Sequence, residues 1–315
     1  MRTKIAVIGA GDVGGTTAHR LAEKELGEVV LLDVRRGLAM GKALDLLEAG
    51  PVCGYSTSVV GTDDFEAIKG ANITIITAGF PRKPGMTREA LLLTNAEIVK
   101  KIVEEVVKVA PETIIIMVTN PLDAMSYLAY RLSGFPRERV MGMAGALDSA
   151  RLRTFIALEL GLSPENVQAM VLGSHGETMV AIPSLTTVAG APASSLISKE
   201  RLEALIERTR RGGQEIIELL KTGSTFYAPS AAIVEMVEAI LKDKKKLLPC
   251  TAFCQGEYGI KDLFIGVPVK LGLRGMEEIF PLPLAPEELK ALQKSAEALR
   301  LQCEELERLL QAVKT

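Results

Sequence analysis

His175 stands in LGSHGET, flanked by Gly173 and Gly176, just past an apolar run that reads as a strand. Glycines on either side let a backbone bring a side chain close to a ligand. Upstream, ALDSARLRTF sets Asp148 and Arg151 three apart, which puts them on one face of a helix. An aspartate paired to an imidazole fixes its tautomer and raises its pKa, giving an acid–base group. An arginine beside it can hold a carboxylate through two charge-assisted bonds. The same spacing also suits an ordinary i,i+3 ion pair on a helix surface, so this pattern alone leaves both readings open. The other histidine, His19, falls in a helical stretch and reads as packed or partly exposed.

A second group of residues suits phosphate and ribose. Gly9, Ala10, Gly11, Asp12, Val13 and Gly14 fit G-x-G-x-x-G directly after an apolar strand and at the opening of a helix. Gly9 permits the tight turn, Gly11 lets a pyrophosphate approach the backbone, and Gly14 lets helix and strand pack closely. The helix N-terminus offers free N–H groups and a positive dipole end. Asp33 closes the next strand, where a carboxylate can accept both ribose hydroxyls and would repel a 2′-phosphate, favouring NAD over NADP. Arg35 and Arg36 nearby are residues that could hold such a phosphate. Two loops complete the set. VTNP places Asn120 at a strand end, where an amide can meet substrate and cofactor, or where Asn-Pro merely starts a turn. GFPRKPGMTR, from Gly79 to Arg88, carries Arg82, Lys83 and Arg88 and no acid, which suits an anion but also an ordinary surface loop.

These loops need a scaffold. KIAVIGA, EVVLLD, NITIITA, TIIIMVT and ERVMGMAG read as strands, the first four as apolar runs buried on both faces of a parallel sheet. Helical patterns lie between them, from Thr16 to Leu26 and from Arg88 to Val109, which argues a Rossmann-type doubly wound sheet. The second half is mixed α+β. It has helices at 148–160, 198–220 and 231–242, a strand at 167–173, and antiparallel strands LLPCTAF and DLFIGVPVKLG around a GEYG turn. The expected division is a dinucleotide-binding domain over 1–145 and a substrate-binding, catalytic domain over 146–315. After Pro286, Leu289, Leu292, Ala296, Leu299, Cys303, Leu306 and Leu310 form a stripe over about three heptads, read as a helix packing on its own domain or a neighbouring subunit rather than as a coiled coil.

Composition narrows the partners. Hydrophobic residues make up 48%, enough for a packed globular protein. With a net charge of −2 and dispersed Lys and Arg, no nucleic-acid surface is expected. No apolar run approaches the roughly 20 residues that span a bilayer, and the N-terminus has no leader pattern, so a soluble cytoplasmic protein is expected. Cys53, Cys250, Cys254 and Cys303 form no C-x-x-C; they read as buried free thiols, with no metal site.

Taken together, GAGDVGG, Asp33, TAGFPRKPGMTR, VTNPLDAM, LDSARLR, GSHGE and GVPVKLG stand in the order and approximate spacing of the lactate/malate dehydrogenase superfamily, which this chain resembles over essentially its whole length. The greatest likeness is to its malate-specific, lactate-dehydrogenase-like subgroup. The resemblance implies an NAD-dependent oxidoreductase of the tricarboxylic acid cycle, acting on malate and oxaloacetate, with lactate and pyruvate as the alternative. A non-catalytic NAD sensor is a remote third reading, since it would not need His175, Asp148, Arg151 and Arg88 together. It implies His175 as proton donor and acceptor with Asp148 as its partner, Arg151 on the C1 carboxylate, Arg88 on the ketone from a closing lid, and Asn120 between substrate and cofactor. Thr77, Ala78 and Gly79 would line the path of NAD, and Asn95 and Val118 would lie near its nicotinamide half. Arg82 would read the far end of the substrate. Closing on pyruvate would bury its guanidinium without a partner at a cost on the order of 3–5 kcal/mol, a preference of roughly a hundred- to several-thousand-fold for a dicarboxylate. Thr225, in GSTFYAP, would face the pocket, as in lactate-specific relatives. Relatives are commonly homotetramers, others homodimers.

Overall fold

A computed structural model describes residues 3–81 and 87–312. The first half contains β1 (Lys4–Ile8), α1 (Asp12–Glu23), β2 (Glu28–Leu32), α2 (Arg36–Cys53), β3 (Val59–Thr62), β4 (Ile73–Ile76), α3 (Arg88–Val109), β5 (Ile114–Met117), α4 (Leu122–Ser133) and β6 (Val140–Gly142). The strands run parallel in the order β3-β2-β1-β4-β5-β6, with Ile5 opposite both Val29 and Ile73. The alternation along each strand explains the sandwich. Ile5, Val7, Val29, Leu31, Ile73, Ile75, Ile114 and Ile116 enter one core, with α1 and α2, while Ala6, Ile8, Val30, Leu32, Ile76, Ile115 and Met117 enter another, with α3 and α4. A strand buried on both faces is apolar nearly throughout, and these are; the exception inside β4, Thr74, is buried with its hydroxyl bonded to that of Thr113.

The second half contains α5 (Gly145–Leu160), β7 (Val167–Gln168), β8 (Val171–Gly173), β9 (Met179–Ala181), β10 (Thr187–Val188), β11 (Ala191–Pro192), α6 (Lys199–Leu220), α7 (Tyr227–Leu241), β12 (Lys246–Gln255), β13 (Lys261–Gly272), β14 (Gly275–Ile279) and α8 (Pro286–Ala312). β12 pairs antiparallel with β6, so the sheet continues through β12-β13-β8-β9 and holds 11 strands among the described residues. β11-β10-β7 form a small separate sheet.

Several elements differ from expectation. The run 167–173 is not one strand: β7 joins the small sheet and β8 the large one, because the chain changes sheets at Ala169–Met170, where the Met170 carbonyl accepts from Ile182 N–H. α1 starts at Asp12, before Thr16, with Gly14 and Gly15 weakening the helical signal of its first turns. α7 starts at Tyr227, before Ala231, because Pro229 sits in the first turn, where its missing N–H is not needed. α2 and α4 were not read from the sequence; α2 contains Gly37, Gly41, Gly50 and Pro51, which mask its helical period. Cys250, Cys254 and Cys303 are buried free thiols, but Cys53 is exposed at the last turn of α2. The α8 stripe packs within the chain: Leu292, Ala296, Leu299 and Cys303 join the first core and Leu306 the second.

Candidate active site

Gly9, Asp33, Thr77 and Val118 are each the first residue beyond the carboxyl end of β1, β2, β4 and β5. Strand order reverses between β1 and β4, which opens the crevice where ligands bind in such sheets. Gly9 has φ +105°, and a Cβ on Gly14 would lie 1.8 Å from the Gly9 carbonyl oxygen, so both positions require glycine. Gly11 faces open space and precedes α1 without a side-chain cap, leaving the first-turn amides of Asp12 and Val13 available to an anion. Asp33 accepts from Ala10 N–H at 2.7 Å and from Arg35 N–H at 2.9 Å, tying the glycine loop to the end of β2. Arg35 turns back onto Asp33, and Arg36 onto Asp63.

The loops after β4 and β5 are stitched to this one. The Thr77 hydroxyl donates to the Gly9 carbonyl at 3.0 Å, and the Thr119 hydroxyl to the Ala78 carbonyl at 2.7 Å. Gly79 admits no side chain here, since a Cβ would meet Thr119 at 2.5 Å. Asn95 is buried on α3, accepts from Phe80 N–H, and donates to the carbonyls of Phe80 and Asn120, so it braces the two loops that flank the crevice. Asn120 is exposed at the crevice. Gly223, in the connector between α6 and α7, approaches the Asp12 carboxylate, and Thr225 lies half-buried in that connector.

The acid–base group is assembled beside these loops. Nδ1 of His175 lies 2.8 Å from Oδ2 of Asp148, whose Oδ1 accepts from Nη1 of Arg151 at 3.0 Å. Asp148 is only 2% exposed at its side chain, whereas His175 and Arg151 keep 17% and 12%. The ring and the guanidinium therefore remain reachable, while their shared carboxylate is not. Burial by itself pushes the His175 imidazole down. The Asp148 charge and hydrogen bond, opposed by Arg151 and helped by the Asp123 charge, leave it above its ordinary value. Gly212 and Gly213 leave room for the Arg151 side chain along α6; a Cβ at Gly212 would meet it at 3.1 Å. That pair of glycines inside a helical pattern was an unread signal. So was Asp123 in VTNPLDAM, which is 2% exposed and bonds to the His175 backbone.

Arg88 opens α3 and pairs at 2.8 Å with Glu177, two residues beyond His175; at 73% side-chain exposure it is free to reorient. Arg82 and Lys83 lie outside the described residues. His19 is half-exposed and pairs with Glu23. Among the described residues, no cluster of three or more His, Cys, Asp or Glu side chains could hold a metal, and no helix is long and apolar enough to cross a membrane.

Residues 3–142 match the NAD binding domain of lactate/malate dehydrogenase and residues 145–309 its alpha/beta C-terminal domain. The chain belongs to the lactate/malate dehydrogenase family. It is 54% identical over 299 residues to the malate dehydrogenase of Roseiflexus sp. (strain RS-1), covering 95% of this chain and 97% of that one. Malate dehydrogenase from Salinibacter ruber superposes with a TM-score of 0.94 at 48% identity, over 98% of this chain and 99% of that one. The lactate dehydrogenase of Cryptosporidium parvum, complexed with lactic acid and NAD, superposes with a TM-score of 0.94 at 42% identity, over 98% of each chain. The crevice fits the cofactor of this family: an uncapped helix start behind Gly11 for the phosphates and a carboxylate at Asp33 for the ribose.

Proposed function

We propose that the chain interconverts (S)-malate and oxaloacetate with NAD, and that His175 is its acid–base group. The observation that carries this reading is the His175–Asp148–Arg151 constellation, tied through Asp123 to the start of the helix that follows β5. The Asp148 bond to Nδ1 fixes the tautomer and leaves Nε2 for the substrate. In the oxidising direction Nε2 takes the C2 hydroxyl proton, and Asp148 stabilises the resulting imidazolium. In the reducing direction the imidazolium returns that proton to the carbonyl oxygen, which Arg88 polarises after leaving Glu177. Arg151 holds the C1 carboxylate, and Asn120 orients the substrate between the loops. When bound, NAD supplies the hydride acceptor. Gly9, Gly11, Asp12, Val13 and Gly14 would hold its phosphates and Asp33 its adenosine ribose. Thr77, Ala78, Gly79, Val118 and Asn120 would flank the rest, with Asn95 as their brace.

Arg82 is assigned to the second carboxylate of the substrate, by its place in GFPRKPGMTR. The test is NADH oxidation with oxaloacetate and with pyruvate, in wild type and in Arg82→Gln. Oxaloacetate should win by at least about a hundredfold in wild type, with the ratio narrowed in the mutant. Comparable turnover of pyruvate by wild type would move the assignment toward lactate, a reading that Thr225 favours.

The division into a dinucleotide-binding domain over 1–145 and a substrate-binding domain over 146–315 is supported by matches that cover 3–142 and 145–309. A homotetramer or homodimer is supported by Met40, Leu44 and Leu47, an apolar stripe left exposed along α2; light scattering would measure the mass. A cytoplasmic location is in line with the four free cysteines.

A further inference from the structure

Asp123 lies in the first turn of α4, three residues beyond Asn120, with its carboxylate buried against the His175 loop. Oδ2 accepts from the His175 backbone N–H at 2.9 Å and from the Ser174 hydroxyl at 2.8 Å. Oδ1 accepts from the Thr251 hydroxyl of β12 at 2.6 Å. The Ser174 N–H donates in turn to the Ser295 hydroxyl of α8 at 2.9 Å. A buried carboxylate is an expensive way to hold a loop; an amide would accept the same backbone bond at a lower desolvation cost. All three contacts come from donors, which is the environment that favours the ionised form.

We infer that Asp123 is a positioning residue for the acid–base step: it fixes the Ser174–His175 backbone and sets a second negative charge beside the imidazole, in addition to Asp148. The inference rests on the assignment of His175 above. The charged groups acting on His175 are Asp148 and Arg151 from α5 and Asp123 from α4; Glu177, on its own loop, is engaged by Arg88. Burial pushes the Asp123 carboxyl up, and the donors from Thr251, Ser174 and His175 offset only part of this, leaving it above its ordinary value. On the α8 side Asp123 faces Cys303, whose thiol is pushed up to about 12 by burial and by the Asp123 charge, and so stays neutral at working pH. Asp123 is thus placed to act on both the geometry and the proton affinity of His175.

The test is Asp123→Asn, which keeps the shape and removes the charge. Both reaction directions are followed against pH, with the KM for NADH measured alongside. The expected result has three parts: kcat falls at least about tenfold, the KM for NADH stays within about twofold, and the limb belonging to His175 moves to lower pH, since its imidazolium has lost a counter-charge. A folded Asp123→Asn enzyme with the wild-type limb overturns the inference. Should that variant not fold, Ser174→Ala removes one donor from the same oxygen. It should lower kcat several-fold and move the limb a smaller distance the same way, and a wild-type profile there also overturns it. His175→Asn run in parallel separates the two readings: if it still turns over, the assignment of His175 fails first, whatever Asp123 does.

Discussion

The glycine loop follows β1 and the His175 loop follows β8 of one sheet, and the two are made of opposite materials. The first is backbone: Gly9, Gly11 and Gly14 remove side chains, and the tie to Thr77 is through a main-chain carbonyl. The second is buried charge: Asp148 meets the imidazole, Arg151 meets Asp148, and Asp123 holds the His175 backbone, all from two helices. A cradle for phosphate needs N–H groups and close approach, which glycine provides. A proton relay needs a pKa set by neighbours, which only charged or polar side chains provide. Damage to the first region should therefore appear as lost cofactor binding, and damage to the second as lost turnover with binding intact.

The largest separation is expected from His175→Asn, which should lower kcat by about a thousandfold or more while NADH still binds, as fluorescence titration would show. Asp148→Asn should lower kcat by about a hundredfold or more, again with NADH affinity kept, because the imidazolium loses its counter-charge. Gly14→Ala is the mirror case. Its Cβ would meet the Gly9 carbonyl, so melting and NADH titration should register a cost of about 1–3 kcal/mol or more, with the affinity loss exceeding any change in kcat at saturation. If Gly14→Ala left affinity intact and lowered kcat alone, the two regions would not be separable in this way.

The pH dependence sharpens the same contrast. The His175 pKa is raised, so the protonated form persists above the ordinary value of about 6.5. The kcat/KM for oxaloacetate reduction should stay level through that value and fall only at higher pH, while malate oxidation rises over the same window. The raised pKa also stabilises the fold below the ordinary value, a contribution lost as pH rises through the shifted one. The smallest effect is expected outside both regions. Glu238 of α7 binds Lys24 of α1 with Lys242 and Lys244, and these lysines, Lys244 first, hold its carboxyl down to about 2. Its contribution is present above the ordinary carboxylate value and is lost as pH falls through about 2. The lysines are about half-exposed, so Glu238→Gln should cost about 1 kcal/mol or less in denaturant titrations at neutral pH and leave kcat unchanged.

The same division decided what could be read in the sequence. The glycine loop was legible because its residues are contiguous and its context, strand then helix, is local. The doubly wound half was legible because strands buried on both faces leave apolar, β-branched runs such as EVVLL and IIIM. Asp148 and Arg151 were legible as a pair through helical spacing, but nothing local tied them to His175; the resemblance joined them. Asp123 stood in a quoted motif without a role, because its partners Ser174, His175 and Thr251 are distant in sequence. The bracing role of Asn95 was not legible, because it depends on where the loops after β4 and β5 meet. α2 was lost to its own glycines and proline, and the 167–173 run was split by a change of sheet that apolar character cannot encode.

α8 fills both cores and offers Ser295 to the His175 loop, so from Pro286 onward it completes a fold that β1 begins at Lys4, earlier in synthesis. A nascent polypeptide that has not yet emerged as far as Leu306 lacks the side chains that close the α3–α4 face, and until Ser295 is out the Ser174 amide has no acceptor. The acid–base loop and the two cores are thus tied to one helix, and loosening α8 is felt at Ser174 as well as in the packing of α3 and α4.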